Sequence, residues 1–244
     1  MSETVNIVEV FSSIQGEGKY IGCRQVFVRM AGCNACCSYC DTPASKDSLP
    51  YGLIELTAGR RNFIRKTNPL SITDLENYVN NLLITPHHSI SLTGGEPLCH
   101  PDEIIEFTRN SKNRIYLETN GTLPEELAKV LPFIDIISMD IKLPSVTGRS
   151  YWQEHREFLR IATSRDVFVK IVITGNTNDQ EFEQAIRLVA EAETNIPVIL
   201  QPVTPVENCT GISPDRVLIL QERALGFIRD VRVIPQTHKI MGQL

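Results

Sequence analysis

Short β-branched runs alternate with amphipathic helical patterns from one end of the chain to the other, which is the signature of a parallel sheet built from strand–helix units. Strands are predicted at residues 25–29, 89–93, 114–118, 134–140, 167–173, 197–201 and 231–234, with helices between them at 73–83, 101–111, 124–130, 151–163, 179–193 and 214–226. Asn178 and Ser213 stand where N-caps belong, and Gly226 marks a stop. About six strand–helix repeats fit the length, fewer than the eight of a closed barrel. The expected fold class is therefore α/β, either a partial (β/α)6 TIM-type barrel or an open parallel sheet. In both, ligands sit beyond the carboxyl ends of the strands. The polar and glycine-rich clusters obey that rule: Ala31-Gly32-Cys33, Gly94-Gly95-Glu96-Pro97, Thr119-Asn120-Gly121 and Asp140-Ile141-Lys142 each follow a strand.

At 244 residues the chain suits one domain spanning 1–244 with a full core. Residues 43–71 break the rhythm with prolines, Gly52, Gly59 and Arg60-Arg61, and read as an insertion beside the site, a lid or a surface loop. A net charge of -5 argues against a nonspecific nucleic-acid binder, which needs Lys and Arg to neutralise phosphates, and leaves a small-molecule substrate as the default. Residues 1–6 lack the basic and apolar stretches of a signal peptide, and no run reaches membrane-spanning length, so no membrane association and a cytoplasmic location are expected.

Of seven cysteines, four crowd into positions 33 to 40, a poor disulfide framework but a good metal site. Thiolates select soft metals, and two arrangements compete. Cys33-x-x-Cys36 with Cys37-x-x-Cys40 would close a four-thiolate zinc site, although abutting pairs leave the backbone little room to wrap one ion. Cys33-x-x-x-Cys37-x-x-Cys40 would hold a four-iron cube and leave one iron open, the general mark of a catalytic centre. Cys36 either replaces Cys37 in another register or packs behind the loop, the latter being expected. Cys99 and Cys209 are too isolated to build a second cluster.

The C-x-x-x-C-x-x-C spacing directly after the first strand resembles the radical S-adenosylmethionine superfamily. That resemblance implies a 4Fe-4S cluster on Cys33, Cys37 and Cys40, with S-adenosylmethionine chelating the open iron and yielding a 5′-deoxyadenosyl radical. It implies that Gly94, Gly95 and Glu96 hold the methionine amino group, that Glu118 and Asn120 lie near the ribose, that Asp140 and Lys142 face the methionine carboxylate, and that Gln201 touches the cofactor. An Asn-Gly turn at Asn120 and a surface ion pair between Asp140 and Lys142 are the plainer readings of those residues.

Further segments narrow the likeness. Phe11-Ser12-Ser13-Ile14-Gln15-Gly16-Glu17-Gly18, Val26-Phe27-Val28-Arg29, Cys40-Asp41-Thr42 and Gln236-Thr237-His238-Lys239 resemble the 7-carboxy-7-deazaguanine synthase family. This implies ring contraction of 6-carboxy-5,6,7,8-tetrahydropterin to 7-carboxy-7-deazaguanine with loss of ammonia, a step toward deazapurine bases of transfer RNA of the queuosine type. An amide and a carboxylate can read a pterin edge, so Gln15 and Glu17, with Gly16 and Gly18 permitting a tight loop, are the implied partners, and Gly16 and Gly94 are implied substrate contacts beside them. Arg29 and His238 supply cations for the substrate carboxylate, and Thr42 joins Mg²⁺ to the substrate. A salt-bridged strand end is the plainer reading of Arg29. A flavodoxin or ferredoxin as electron donor and a homodimer are implied by the same family. The rival functions are a glycyl-radical activase and a zinc-stabilised binding module.

Overall fold

The computed structural model describes residues 3–40, 42–205 and 209–244; Asp41 of the Cys-Asp-Thr motif lies outside them. Two strands, β1 (Thr4–Val5) and β2 (Ile7–Ile14), precede β3 (Arg24–Met30). There follow β4 (Tyr51–Glu55), β5 (Phe63–Thr67), β6 (Leu70–Ser71) and α1 (Ile72–Leu82). The regular alternation then begins with β7 (Ser89–Gly94), α2 (Pro101–Thr108), β8 (Ile115–Thr119), α3 (Pro124–Val130), β9 (Ile136–Asp140), α4 (Pro144–Thr147) and α5 (Trp152–Ala162). It ends with β10 (Asp166–Ile173), α6 (Asp179–Ala192), β11 (Val198–Pro202), α7 (Pro214–Leu225), β12 (Val231–Val233) and α8 (Thr237–Ile240).

All but β1 and β6 join one ten-stranded sheet in the order β12-β11-β10-β9-β8-β7-β3-β2-β4-β5. From β3 to β12 every neighbouring pair is parallel. The strands β3, β7, β8, β9, β10 and β11, each returning through a helix, form the expected partial (β/α)6 barrel, with β12 as a further parallel strand.

The antiparallel partner of β3, β2, lies outside the strand–helix rhythm and is an addition to the predicted elements. Residues 43–71, expected to be a lid or loop, instead carry the β4–β5 hairpin, which extends the sheet beyond β2. The pairing absorbs backbone groups that an irregular loop would leave to solvent.

Alternation along each strand divides the sheet into two faces. Val26, Val28, Ile90, Leu92, Leu117, Ile137, Val169, Ile171 and Leu200 point outward and pack under the helices. The helices supply matching stripes: α1 buries Ile72, Leu75, Val79 and Leu82 at helical spacing. Leu82 is fully buried, so truncation to Ala costs about 2–5 kcal/mol. The caps fall as predicted, with Asn178 Oδ1 accepting from Gln180 and Glu181 N–H and Ser213 Oγ from Arg216 N–H.

The opposite face lines the barrel interior. Its amino-terminal end is filled by Tyr116, Ile136, Phe168 and Ile199, with Tyr20 packed against them. Tyr20 meets Tyr116 edge-on at 6.1 Å, and its hydroxyl donates to Asp166, which Lys19 also pairs at 2.6 Å. Apolar filling stops about halfway along the strands. Above it the inward positions turn polar, and there the cavity begins.

Candidate active site

A cavity of about 410 Å³ opens at the carboxyl ends of the barrel strands, within the usual size of small-molecule sites. Every candidate residue named from the sequence lines it: Cys33, Cys37, Cys40, Thr42, Gly94, Gly95, Glu96, Glu118, Asn120, Asp140, Lys142 and Gln201, together with Gln15, Gly16, Glu17, Arg29 and His238. Cys36 is the departure: expected to pack behind the loop, it is exposed. The loop turns immediately after it, Cys40 N–H donating to the Cys37 carbonyl at 3.3 Å.

The cysteine loop rests directly on the glycine pair after β7. Glu96 N–H donates to the Gly32 carbonyl at 2.8 Å, and a methyl group at Gly95 would lie 2.2 Å from that oxygen and 2.8 Å from Cys33 Cβ. Only a residue without a side chain allows this approach. His100 Nε2 reaches the Ala31 carbonyl at 2.6 Å and pins the same loop from beneath.

Glu96 then ties β7 to β8. One carboxylate oxygen accepts from Leu98 N–H at 3.1 Å and Thr119 Oγ1 at 2.8 Å, and the other from Asn120 N–H at 2.7 Å. Burial nevertheless dominates these donors and pushes its carboxyl up to about 7. A cationic amino group arriving at this wall would return it to the ionised form.

Asn120 forms the turn read from sequence, its Oδ1 accepting from Thr122 N–H at 3.0 Å, and the residue also lines the cavity. Its Nδ2 donates to Asn34 Oδ1 at 2.8 Å, so the turn also grips the cysteine loop. Beneath the turn His155 Nε2 meets the Asn120 carbonyl at 3.1 Å; burial holds this imidazole neutral, lowering its pKa to about 4.

Asp140 and Lys142 do pair, at 2.7 Å, but on the cavity wall and not on the surface. Burial works against the charged form of Asp140, yet Lys142 and Lys170 outweigh it and hold the carboxyl below its ordinary range. Gln201 Oε1 is buried without a hydrogen-bond partner, an acceptor left for a ligand.

On the opposite side the loop after β2 folds inward. Gln15 Nε2 donates to Glu118 at 2.7 Å and to Gln25 at 3.0 Å, while Glu17 is bonded by Lys170 and by Gln236 Nε2, the latter at 2.8 Å. The carboxyl-terminal segment closes over this loop: Thr237 N–H donates to the Gly16 carbonyl at 2.9 Å. A side chain at Gly16 would meet the His238 ring at 2.2 Å. Arg29 is salt-bridged to Glu9 at 2.8 Å, as its plainer sequence reading expects, and also lines the cavity.

Lys170, Gln236, Gln25, Asn34 and Thr93 also belong to this constellation and were not singled out from sequence. The signal was present for the strand residues. Gln25, Thr93 and Lys170 are polar residues at alternate positions of otherwise apolar strands, which in a two-sided parallel sheet marks the inward face.

The donor set suits the implied groups. Cys33, Cys37 and Cys40 line the cavity whereas Cys36 is exposed and outside its lining, so the four thiols do not share one site as the four-thiolate zinc arrangement requires. A four-iron cube asks for something else, because its thiolates bind separate irons, and three cysteines on one cavity rim can supply that. The glycine cradle under Cys33 and the unpartnered Gln201 oxygen leave room and polarity for a cofactor beside it.

Comparison with known proteins agrees. Residues 27–189 match the family model described as the radical SAM superfamily. A 7-carboxy-7-deazaguanine synthase of Geobacter sulfurreducens is 46% identical over 242 residues, covering 97% of this chain and 96% of the relative. That of Methanothermobacter thermautotrophicus is 38% identical over 257 residues, again covering 97% and 96%. The crystal structure of QueE from Escherichia coli superposes with a TM-score of 0.64 over 96% of this chain and 95% of its own, and at 20% identity it shows the shared fold. With the family model spanning most of the barrel and relatives aligned nearly end to end, the chain belongs to the radical S-adenosylmethionine superfamily and, within it, to the 7-carboxy-7-deazaguanine synthase family.

Proposed function

We propose that this enzyme contracts the ring of 6-carboxy-5,6,7,8-tetrahydropterin to 7-carboxy-7-deazaguanine with loss of ammonia, in deazapurine biosynthesis. The observation that carries the reading is the meeting, in one cavity, of three loop cysteines with the amide–carboxylate pair Gln15 and Glu17. When bound, a 4Fe-4S cluster and S-adenosylmethionine supply the hydrogen-abstraction chemistry, and the protein contributes position and shielding.

Cys33, Cys37 and Cys40 would hold the cluster. Glu96, with Gly94 and Gly95 beneath the loop, would take the methionine amino group, Lys142 its carboxylate, and Glu118, Asn120 and Gln201 the remaining polar edges. Gln15 and Glu17 would read the pterin, while Arg29 and His238 clamp its carboxylate. Thr42, whose carbonyl is engaged by Ser45 N–H at 2.9 Å, would offer its hydroxyl to Mg²⁺ beside the substrate.

The aromatic plug below Lys170 excludes water from the amino-terminal end, and the 236–238 segment does so from the side. We also infer that the whole chain acts as one domain, in the cytoplasm, as a homodimer supplied with electrons by a flavodoxin or ferredoxin. Among the described residues no helix is long and apolar enough to cross a membrane.

The test is an anaerobic assay of reconstituted protein with reductant, S-adenosylmethionine, Mg²⁺ and the carboxytetrahydropterin. Formation of the deazaguanine is the expected result. Deoxyadenosine release without it would retain the superfamily chemistry and sink the substrate assignment.

A further inference from the structure

Lys170 is a buried ammonium in the middle of β10, outside the residues that would contact cluster, cofactor or substrate. It is bonded to one oxygen of Glu17 and lies 3.3 Å from Asp140 Oδ1, close enough for charge pairing though not aligned as a hydrogen bond. The other Glu17 oxygen accepts from Gln236 Nε2 at 2.8 Å, and Gln236 Oε1 in turn accepts from Thr204 Oγ1 at 2.6 Å. Each oxygen of Glu17 thus receives one hydrogen bond from the protein. A carboxylate has about four acceptor sites, so each oxygen retains one.

Two parallel acceptors match two adjacent N–H groups, as in a ring amide beside an exocyclic amine. A carbonyl in place of the amine would set lone pairs against lone pairs. The match holds only while Glu17 is ionised, because a protonated carboxyl replaces one acceptor with a donor.

We propose that Lys170 is the positioning residue that fixes substrate selectivity: by holding Glu17 as an ionised two-pronged acceptor, it commits the cavity to heterocycles bearing a ring N–H next to an amine. The inference rests on the reading of Gln15 and Glu17 as the heterocycle-reading pair. Glu17 is faced by Lys170 from β10, Asp140 from β9, Glu118 from β8, Gln15 on its own loop, and Gln236 and His238 from the carboxyl-terminal segment. Of the cations, Lys142 is already engaged by Asp140. Without Lys170 the cavity would hold Glu17, Glu118 and Asp140 with Lys142 as their nearest buried counter-charge, and mutual repulsion would favour protonation of one of them. Consistent with this, burial works against ionised Glu17, but Lys170 prevails and holds its carboxyl below the ordinary range.

The experiment measures equilibrium binding, without turnover, of two fluorescent probes that differ at position 2: 6-carboxypterin, which has an amine there, and 6-carboxylumazine, which has a carbonyl there and a proton on the neighbouring ring nitrogen. The full-length protein should favour the pterin by roughly 100-fold or more, with little change between pH 6 and 8, because a site built to bond a donor rejects the analogue lacking it. Lys170→Met should lose at least about tenfold of that preference at pH 7 and regain it as rising pH ionises Glu17, while Lys170→Arg keeps it.

Lys170→Gln, which also removes the buried cation but keeps a polar side chain, should behave like Lys170→Met and carries the test if that variant does not fold. Unchanged preference with an unchanged pH profile in Lys170→Met or Lys170→Gln would overturn the proposal. Failure of the unmodified protein to bind 6-carboxypterin at all would instead sink the underlying assignment of Gln15 and Glu17.

Discussion

Replacing Gly95 with Ala tests whether the glycine pair sets the height of the cysteine loop. The added methyl would stand 2.2 Å from the Gly32 carbonyl oxygen, 2.7 Å from its carbon and 2.8 Å from Cys33 Cβ. Comfortable contact begins near 3.5 Å, so the two segments must separate by roughly 1 Å. Overpacking of this kind costs about 1–3 kcal/mol, which for a chain of this size lowers the melting temperature by roughly 2–12 °C. The chemistry should suffer more, because a 1 Å misplacement of reacting groups can cost about 100-fold in rate.

Scanning calorimetry under anaerobic conditions and equilibrium dialysis of S-adenosylmethionine give the two readouts. Gly148→Ala is the control. Its φ of 70° also disfavours a side chain, but nothing lies within 4 Å of the added methyl, so it should cost about 1–2 kcal/mol and leave cofactor affinity intact. Unaltered cofactor affinity in Gly95→Ala, or an equal loss of cofactor affinity in Gly148→Ala, would refute the argument.

Cys36→Ala should retain iron and sulfide while Cys37→Ala loses them, as measured by metal analysis after anaerobic reconstitution. Glu96, whose pKa rises to about 7 on folding, should weaken the cofactor-free protein by about 3 kcal/mol as pH climbs from about 4.5 through 7, because the folded state holds a proton that the unfolded chain releases. Glu96→Gln should flatten that part of the melting profile, and a slope like that of the unmodified protein would count against it. His155 works in the opposite direction. With its pKa depressed to about 4, it contributes stability above 6.5 that is lost as pH falls through 4, and His155→Phe should remove this acid-side loss in the same measurement.

Much of the barrel was legible because alternating strands and capped helices carry local signals, and Asn178 and Ser213 cap where their side chains suggest. The elements added at the sheet edge were not. The partner of β2 is β3, an antiparallel pairing absent from a strand–helix repeat, and β4 pairs with β2 across a long stretch of sequence. Such pairings depend on tertiary contact more than on local pattern.

The site shows the same division. Cysteine spacing and glycine pairs announce themselves in a row of letters. Lys170 does not, since a lysine in an apolar strand is informative only after neighbouring strands show which side faces the cavity. The exposure of Cys36 is a detail of the loop's path that cysteine spacing does not encode.

The bond from Thr237 to Gly16 joins residues 221 positions apart. On a ribosome, which releases the amino terminus first, the parallel strands can assemble long before the segment that covers the 15–18 loop emerges. Such a nascent barrel would expose a half-built pocket to solvent, and the wall formed by the 15–18 loop is covered only after residue 237 has emerged.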